Sequence, residues 1–269
     1  MTALLEVSRA SKQYRGLAAV DDVSFTVEAG RVHGLIGPNG AGKTTLFNLI
    51  SGLVPLDEGN ILFEGRDIAP LPIHARAGLG IARTFQNIRI FEDMTVLETV
   101  AAGAHARLSA PFWHCLLGLP RSRAEERRVA AEALEALEFV GLADRAQTRA
   151  GDLAYGEQRR LEIARGLASR PRLLLLDEPA AGMNPHETAD LACLLRRVCE
   201  RGVTLLLVEH DMGFIMTLCC RLTVLNFGRR IACGTPQEVR TNPAVIEAYL
   251  GTKAAARLAA RAGREEGWQ

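Results

Sequence analysis

The chain has 269 residues, with 32 Lys and Arg against 31 Asp and Glu, so its formal net charge is only +1. Hydrophobic residues make up 48% and charged residues 23%, which excludes a disordered chain and predicts enough core for one large domain or two small ones. The near-neutral charge provides no overall field for nucleic acid, so no nucleic-acid partner is expected.

The first third of the chain predicts short strands separated by turns. Val20–Val27 alternates loosely between apolar and polar residues, and Arg31–Ile36 is an apolar run that stops at a glycine. Asn60–Phe63 is a further short strand that precedes another turn. This part of the chain is therefore expected to be rich in β-structure.

The middle of the chain predicts helices. From Thr95 the sequence becomes rich in Ala and Leu, and Ser122 followed by Glu125 is a capping-box pattern that predicts a helix beginning after Ser122. The apolar residues of that helix recur at helical spacing, at Val129, Ala133, Leu137 and Val140.

The last third alternates again between strands and helices. Leu173–Leu176 and Val203–Val208 are continuous apolar runs, typical of strands that are buried on both faces. The helix between them has one apolar face, formed by Leu191, Leu194, Leu195 and Val198. The order strand, helix, strand predicts right-handed crossovers and a parallel sheet.

These elements predict an α/β domain interrupted by helices. Its core is expected at residues 1–87 and 160–250, interrupted by a helical insert at residues 88–159, and the tail 251–269 is expected to be flexible. The start of the chain has no signal-peptide pattern, and the apolar runs are too short to span a bilayer, so a cytosolic location is expected.

A glycine-rich segment directly follows Arg31–Ile36 and fits the pattern GxxxxGK[ST]. Its glycines let backbone N–H groups turn inward around a phosphate, and the start of the next helix adds a positive dipole end. Lys43 supplies a charge for the β- and γ-phosphates, and the Thr44 hydroxyl is a ligand for Mg²⁺. The nucleotide-binding residues predicted here are Gly37, Pro38, Asn39, Gly40, Ala41, Gly42, Lys43, Thr44 and Thr45.

Two carboxylates, Asp177 and Glu178, end the run Leu173–Leu176. The carboxyl ends of parallel strands face the ligand crevice, so Asp177 is predicted to hold Mg²⁺ and Glu178 to act as the base that polarises water. The alternative is that the pair caps the following segment. Beside the glycine-rich loop, the pair predicts a nucleoside triphosphatase.

Further segments make the chain resemble an ATP-binding cassette (ABC) ATPase over residues 4–250. They are Leu153–Gln158 in the position of the signature motif, Thr84–Asn87 in that of the Q-loop, Val208–Asp211 at the switch histidine, and Tyr14 before the second strand. The resemblance implies a P-loop NTPase fold of the ABC type. This fold has a RecA-like core, an N-terminal antiparallel β subdomain and an inserted α-helical subdomain.

The same resemblance implies a role for each matching residue. Tyr14 would stack on adenine, and the implied catalytic residues are Glu178, His210, Gln86 and Lys43. The implied metal-binding residues are Thr44, Gln86 and Asp177. The residues implied to contact the nucleotide of a second subunit are Tyr155, Gly156 and Glu157.

Longer segments are similar to the LivG-type ATP-binding subunits of bacterial branched-chain amino-acid importers. They cover residues 80–87, 154–165, 180–185 and 242–251. Relative to the general ABC pattern, Ala154 replaces the signature serine, Tyr155 its first glycine and Asn184 the D-loop aspartate, so that an amide would make the cross-dimer hydrogen bond. LivG-type subunits resemble this chain at all three positions, which favours subfamily features over lost activity.

Glu157 stands where glutamine is usual and adds a negative charge to the signature motif. The remaining anion-binding groups are Gly156 and the start of a helix expected near Glu157.

The resemblance implies a transport ATPase that uses ATP and Mg²⁺ at the cytoplasmic face of the inner membrane. The implied partners are a second ATPase subunit, either a copy or a paralogue, in a head-to-tail nucleotide-sandwich dimer, two membrane permease subunits and, indirectly, a periplasmic solute-binding protein. Alternative cargo systems are a urea or amide importer and a lipopolysaccharide exporter.

Other classes fit the sequence less well. A soluble ABC protein acting on ribosomes or DNA would have a second cassette or a long coiled coil, and a GTPase would need an NKxD-like guanine reader. The retained Lys43, Glu178 and His210 argue against a degenerate regulator.

The insert is the part that such a resemblance assigns to permease docking. The candidate docking residues are Ile88, Ile90, Phe91 and Met94, and the alternative is that they form the core of the insert. The six cysteines show no CxxC pair and no metal-ligand spacing, and they are expected to be small buried residues.

Overall fold

A computed structural model describes residues 3–84, 90–104 and 120–250, with the backbone alone at 120–126 and at Leu250. Several predicted features lie outside the described residues: Gln86 with most of the Q-loop, Ile88, most of the apolar segment 110–120 that is expected to form a surface loop or to contact a membrane partner, and the tail 251–269.

The described strands and helices are numbered here in chain order. The strands are β1 (Ala3–Tyr14), β2 (Leu17–Glu28), β3 (Val32–Ile36), β4 (Glu58–Phe63), β5 (Arg66–Asp67), β6 (Ile81–Arg83), β7 (Leu173–Asp177), β8 (Thr204–Val208), β9 (Arg221–Asn226) and β10 (Arg229–Gly234). The helices are α1 (Lys43–Ser51), α2 (Ile73–Gly78), α3 (Val96–Gly103), α4 (Pro120–Val140), α5 (Tyr155–Ala168), α6 (Pro185–Glu200), α7 (Met212–Leu218), α8 (Pro236–Thr241) and α9 (Pro243–Leu250).

The chain divides into two compact units. The first consists of Met1–Pro70 and Leu206–Gln269, and the second of Leu71–Leu205, so that the boundary falls inside β8. The predicted division into a catalytic core and a helical insert at residues 88–159 was based on hydrophobic patterning and function, and it stays a prediction.

An antiparallel sheet with the strand order β2-β1-β4-β5 lies in the first unit. It confirms the expected N-terminal antiparallel β subdomain. β1 carries no clean alternation in sequence, because its pairing with β2 shifts register after Val7, where Arg9 has a positive φ of 48°. Such a bulge moves side chains between the two faces and removes the period-two signal.

The first unit also contains strands in the order β10-β9-β3-β8. β3 pairs in parallel with β9, and β9 pairs antiparallel with β10. Every residue of β3 and of β8 is buried, as the continuous apolar runs predicted.

The second unit pairs β6 in parallel with β7, from Ile81 opposite Leu173. Thr204, at the start of β8, donates its N–H to the carbonyl of Arg172 just before β7, at 2.9 Å. The α/β architecture with parallel pairing is therefore confirmed.

Helices α3, α4 and α5 pack against one another in the second unit. The predicted apolar face of α4 is confirmed, since Val129, Ala133, Leu137 and Val140 are all buried. The predicted start after Ser122 is wrong, because Ser122 lies inside α4, which the structure describes from Pro120 onward. The predicted apolar face of α6 is also confirmed.

The cysteine prediction is largely wrong. Of the cysteines that the structure describes, Cys219 is buried and Cys199 is half-buried, whereas Cys193, Cys220 and Cys233 are exposed. Cys193 lies on the solvent side of α6, because its neighbours Ala192 and Leu194 take the buried positions. Among the described residues, no helix combines the length and apolar character that crossing a bilayer requires.

A buried histidine in β3 generates a prediction about pH. His33 is 2% exposed, and its Nε2 lies 2.9 Å from the Thr223 hydroxyl. Burial, aided by the charge of Arg221, lowers the pKa of His33 from 6.5 to about 4. Above pH 6.5 the ring is neutral in the folded and the unfolded chain, so its contribution to stability is complete there.

We expect the free energy of unfolding to fall as the pH drops from 6.5 towards 4, because only the unfolded chain binds the proton in that window. The loss reaches about 3 kcal/mol for a shift of this size. Urea unfolding across this pH range would measure it, with His33→Gln as a variant that keeps a polar partner for Thr223. Equal pH slopes in the two proteins would contradict the assignment.

Candidate functional site

The glycine-rich loop directly follows the buried strand β3. Gly37 has a φ of +151°, and a side chain there would overlap the carbonyl oxygen of Leu225. Gly42, with a φ of +98°, likewise lies against the carbonyl of Ala19. Glycine is therefore required at both ends of the loop, where the backbone passes too close to its neighbours for a Cβ atom.

The start of α1 is suited to an anion. Its N-cap, Gly42, provides no side-chain hydrogen bond, and the first turn contains no acidic residue. The first N–H groups of a helix have no partner within the helix, and the helix dipole is positive there. Phosphate oxygens are ligands that match these donors.

Lys43 lies over the loop that precedes it. Its Nζ donates to the carbonyl of Gly37 at 2.6 Å and to that of Pro38 at 2.9 Å. The ammonium group is therefore held on the loop, next to the N–H groups of α1.

Two neighbouring segments support the loop. Gly228 donates its N–H to the carbonyl of Ala41 at 3.1 Å and accepts from the N–H of Asp21 at 2.8 Å. Burial raises the pKa of the Tyr249 phenol in α9, and a hydrogen bond with the Gly37 backbone partly offsets this. Sequence reasoning did not assign Tyr249 to the site; the signal was the matching segment 242–251 that contains it.

Tyr14 lies at the tip of the hairpin that joins β1 and β2. Tyr14 and Leu17 form the last pair, and both intervening residues have a positive φ, 50° at Arg15 and 86° at Gly16, as in a type I′ turn. Tyr14 is 44% exposed, and the Lys12 Nζ is 5.7 Å from the centroid of its ring. The ring is therefore accessible for stacking. Beyond the hairpin, β2 passes next to the glycine-rich loop, because the carbonyl of Ala19 lies against Gly42.

His210 follows the end of β8 in the first unit. Its side chain is 65% exposed, and its Nδ1 lies 3.9 Å from the buried carboxylate of Glu209. The next residue, Asp211, caps α7 by accepting from the N–H of Phe214. The imidazole is therefore held near a carboxylate and remains open to solvent.

Asp177 ends β7 in the second unit. One of its oxygens, Oδ2, accepts from Nη2 of Arg83 in β6 at 2.9 Å, and both side chains are buried. The sequence predicted Asp177 as a metal ligand but gave no sign of this ion pair.

Glu178 adopts a backbone conformation that is uncommon for a residue with a side chain. Its φ is +48°, and its carbonyl accepts from the N–H of Ala181 at 3.2 Å, which closes a turn. Left-handed non-glycine residues cost energy and are concentrated at functional sites. The N-cap of the next helix, α6, is Asn184, so neither Asp177 nor Glu178 caps that helix.

The signature segment begins α5. The helix starts at Tyr155, two residues before the expected position. Glu157 caps this end, since its Oε2 accepts from the N–H of Ala154 at 3.0 Å, while alanine offers no oxygen for the reciprocal bond. The unusual Glu157 therefore has a structural partner in its own helix.

The rest of the segment packs against the residues after β7. Gly156 is buried beneath Glu187 and Met183. The Tyr155 hydroxyl donates to the carbonyl of Ala181 at 2.9 Å and accepts from Nη2 of Arg159 at 3.0 Å.

Asn184 is engaged within its own chain. Its Oδ1 accepts from the N–H groups of His186 and Glu187, both at 3.0 Å, and caps α6. The expected hydrogen bond across a dimer would therefore come from the Nδ2 amide.

The predicted site residues fall in both units. The first unit holds Tyr14, the loop from Gly37 to Thr45, and His210; the second holds Asp177, Glu178 and the signature segment. Among the described residues no cluster of three or more His, Cys, Asp and Glu side chains is arranged to cage a metal. Mg²⁺ held by one carboxylate, one hydroxyl and substrate phosphates needs no such cage.

Two of the candidate docking residues lie on the surface. Phe91 is 54% exposed and Met94 is 36% exposed, while Ile90 is half-buried. The alternative that Phe91 and Met94 form the core of the insert is therefore wrong.

Comparison with known families and proteins gives a consistent assignment. Residues 20–181 match the family described as ABC transporter, and residues 229–255 match the family described as branched-chain amino acid ATP-binding cassette transporter. The high-affinity branched-chain amino acid transport ATP-binding protein BraF of Pseudomonas aeruginosa is 47% identical over 249 residues, which cover 92% of this chain and 98% of that protein.

A second relative and a solved structure agree. The high-affinity branched-chain amino acid transport ATP-binding protein LivG of Salmonella typhimurium is 43% identical, with the same coverage of 92% and 98%. The crystal structure of the ADP conformation of MJ1267, an ATP-binding cassette of an ABC transporter, superposes with a TM-score of 0.82 at 32% identity and covers 93% of this chain and all of that one.

The ion pair between Arg83 and Asp177 predicts a large effect on stability. Arg83→Met would leave a buried carboxylate without its counter-charge, which costs about 3–5 kcal/mol. Adding Asp177→Leu removes the charge as well and is expected to recover most of the loss. Chemical denaturation at neutral pH would measure both.

A solvent-exposed pair is the matched control. Arg229 lies 2.7 Å from Asp21, with the side chains 73% and 36% exposed, and Arg229→Met is expected to cost less than about 1 kcal/mol. If Arg83→Met and Arg229→Met lower the free energy of unfolding by similar amounts, the buried pair contributes no more to stability than the exposed pair.

Proposed function

The chain belongs to the ABC transporter family, and we propose that it is the ATP-hydrolysing subunit of an importer for branched-chain amino acids. The observation that carries this proposal is the extent of the similarity to BraF, 47% identity over 92% of the chain, together with the branched-chain family match at residues 229–255. The geometry of the glycine-rich loop, and of the residues at the ends of β7 and β8, supports the same activity.

The proposed nucleotide site uses the loop from Gly37 to Thr45 for the phosphates. The N–H groups of the loop and of α1 would surround the phosphate oxygens, and Lys43 would exchange its two carbonyl partners for the β- and γ-phosphates. Tyr14 would stack on adenine, since its ring is accessible at the tip of the hairpin.

We assign Mg²⁺ to Thr44, Asp177 and Gln86. Their hydroxyl, carboxylate and amide oxygens are the hard ligands that this ion prefers. With Asp177 Oδ2 bonded to Arg83, the second carboxylate oxygen is the one assigned to the ion or its water shell. When bound, Mg²⁺ neutralises charge on the β- and γ-phosphates.

Glu178 is the proposed general base for hydrolysis. It takes a proton from water while the water oxygen bonds to the γ-phosphorus, and the bond to the bridging oxygen breaks with its electron pair leaving on ADP. His210 and Gln86 would contact the γ-phosphate, and Lys43 would stabilise the negative charge that develops there. The exposed imidazole of His210 is accessible for this role.

The proposed active form is a head-to-tail dimer with a copy of the chain or a paralogue. The residues that would face the partner's nucleotide are Tyr155, Gly156 and Glu157 at the start of α5, where the helix dipole favours an anion. Because the Tyr155 hydroxyl is bonded within the chain, the contact with phosphate would come from backbone N–H groups.

The remaining partners follow from the transport role. We propose that the chain binds two membrane permease subunits at the cytoplasmic face of the inner membrane and receives cargo through them from a periplasmic solute-binding protein. The exposed Phe91 and Met94 are the described residues that support a docking surface in the proposed insert 88–159.

Glu178→Gln tests the hydrolytic mechanism. It keeps the shape of the side chain but removes the base, so turnover should fall by about 10²–10⁴-fold while ATP still binds. Size-exclusion chromatography in ATP and Mg²⁺ should show a stable species of twice the mass of the chain. Lys43→Ala is the control, since it should neither bind ATP tightly nor dimerise. Near-wild-type hydrolysis by Glu178→Gln would remove this mechanism.

Reconstitution into liposomes tests the cargo. With the permease subunits that co-purify with the chain and their solute-binding protein, leucine, isoleucine or valine should stimulate ATP hydrolysis and accumulate inside. Phe91→Asp should abolish the stimulation, whereas Leu134→Asp, at an exposed leucine of α4, should not. Stimulation by urea, an amide or lipopolysaccharide instead would reassign the cargo and leave the ATPase assignment intact.

A further inference from the structure

The turn that contains the proposed base is closed by one hydrogen bond between its two ends, and a second hydrogen bond links its last residue to Tyr155. Ala181 donates its N–H to the carbonyl of Glu178 at 3.2 Å, and its own carbonyl accepts from the Tyr155 hydroxyl at 2.9 Å. Tyr155 is therefore one hydrogen bond away from the turn whose first residue is Glu178.

Tyr155 is itself fixed by the body of α5. Nη2 of Arg159 donates to the Tyr155 oxygen at 3.0 Å, and the guanidinium carbon lies 5.5 Å from the ring centroid. Arg159 is 3% exposed and lies 3.4 Å from the buried carboxylate of Glu162. The buried Glu162 thus holds the Arg159 guanidinium in the position from which it donates to the Tyr155 hydroxyl.

The ring of Tyr155 also packs on the backbone beyond the turn. Gly182 has a φ of +78°, and a Cβ atom there would lie 3.3 Å from Cε1 of Tyr155. The ring therefore covers Gly182, and the hydroxyl donates to the Ala181 carbonyl. Tyr155 thus contacts the chain at the end of the turn that begins at Glu178.

We propose that Tyr155 is a positioning residue that couples the start of α5 to the geometry of Glu178. This inference rests on the proposed function, in which the start of α5 contacts the nucleotide of the partner subunit and Glu178 serves the nucleotide of its own chain. A shift of α5 on nucleotide binding moves Tyr155, and the hydrogen bond to Ala181 passes the movement to the turn. The occupancy of one site thereby sets the orientation of the base in the other.

The left-handed conformation of Glu178 gives this coupling a physical basis. A φ of +48° persists in a residue with a side chain only where the surroundings hold it. Loss of the hydrogen bond at Ala181 releases one of these restraints, and a small misplacement of a catalytic group has a large effect on rate.

Tyr155→Phe is the test, because it removes the hydroxyl and keeps the ring on Gly182. In the full chain we expect kcat for ATP hydrolysis to fall about tenfold, with KM for ATP changed by less than about twofold, since the glycine-rich loop is untouched. The Hill coefficient for ATP should fall towards that of independent sites.

Ser169→Ala is the matched control. It removes a hydroxyl that donates to a backbone carbonyl, that of Gly166 at 2.7 Å, at the opposite end of the same helix. Both variants should lower Tm slightly, but only Tyr155→Phe should change kcat and the Hill coefficient.

The outcomes separate this inference from the proposed function. A wild-type chain that hydrolyses ATP without cooperativity, and a Glu178→Gln variant that stays monomeric in ATP, would remove the sandwich dimer and this coupling with it. A cooperative wild type with an unchanged kcat and Hill coefficient in Tyr155→Phe would overturn the coupling alone. A rise in KM at constant kcat would also overturn it, because Tyr155 would then act through nucleotide binding.

Discussion

The left-handed backbone at the ends of two buried strands is the constraint on which the candidate site depends. After β3 it occurs at Gly37, where glycine adopts it freely and a side chain would overlap the Leu225 carbonyl. After β7 it occurs at Glu178, where the proposed function requires a carboxylate and the conformation has a cost of about 1–3 kcal/mol. The hydrogen bond from the Ala181 N–H to the Glu178 carbonyl closes this turn and is one local interaction that opposes the cost.

The charges around these strand ends are arranged for different purposes. The start of α1 has a glycine cap and no acidic residue, so its first N–H groups and its dipole suit the phosphate of the proposed function. The starts of α5 and α6 are capped by Glu157 and by Asn184 with Glu187. The capped ends are stabilised by their own side chains, whereas at the uncapped end the proposed phosphate would supply the missing hydrogen-bond acceptors.

Tyr155 and Glu157 show how a departure from a general motif acquires a structural role. As letters in a signature motif, they replace a glycine and a glutamine. In the structure, Glu157 satisfies the N–H of Ala154, and Tyr155 joins Ala181, 26 residues away in the chain, to the buried Arg159. Neither partner is visible from the motif, since each depends on where α5 begins and on what packs against it.

The sequence by itself determined the parallel strands, the helical faces and the glycine-rich loop, because each depends on residues that are close together in the chain. Apolar runs such as Leu173–Leu176 are buried, and three closely spaced glycines before Lys43, Gly37, Gly40 and Gly42, predict a tight loop with positive φ angles. Strand β1 could not be predicted in this way, because its register shifts remove the apolar–polar alternation from the sequence. Only the tertiary structure decided the partners of the functional side chains. Arg83 and Asp177 are 94 residues apart, and side chains so distant meet only because the strands that carry them pair in the folded sheet.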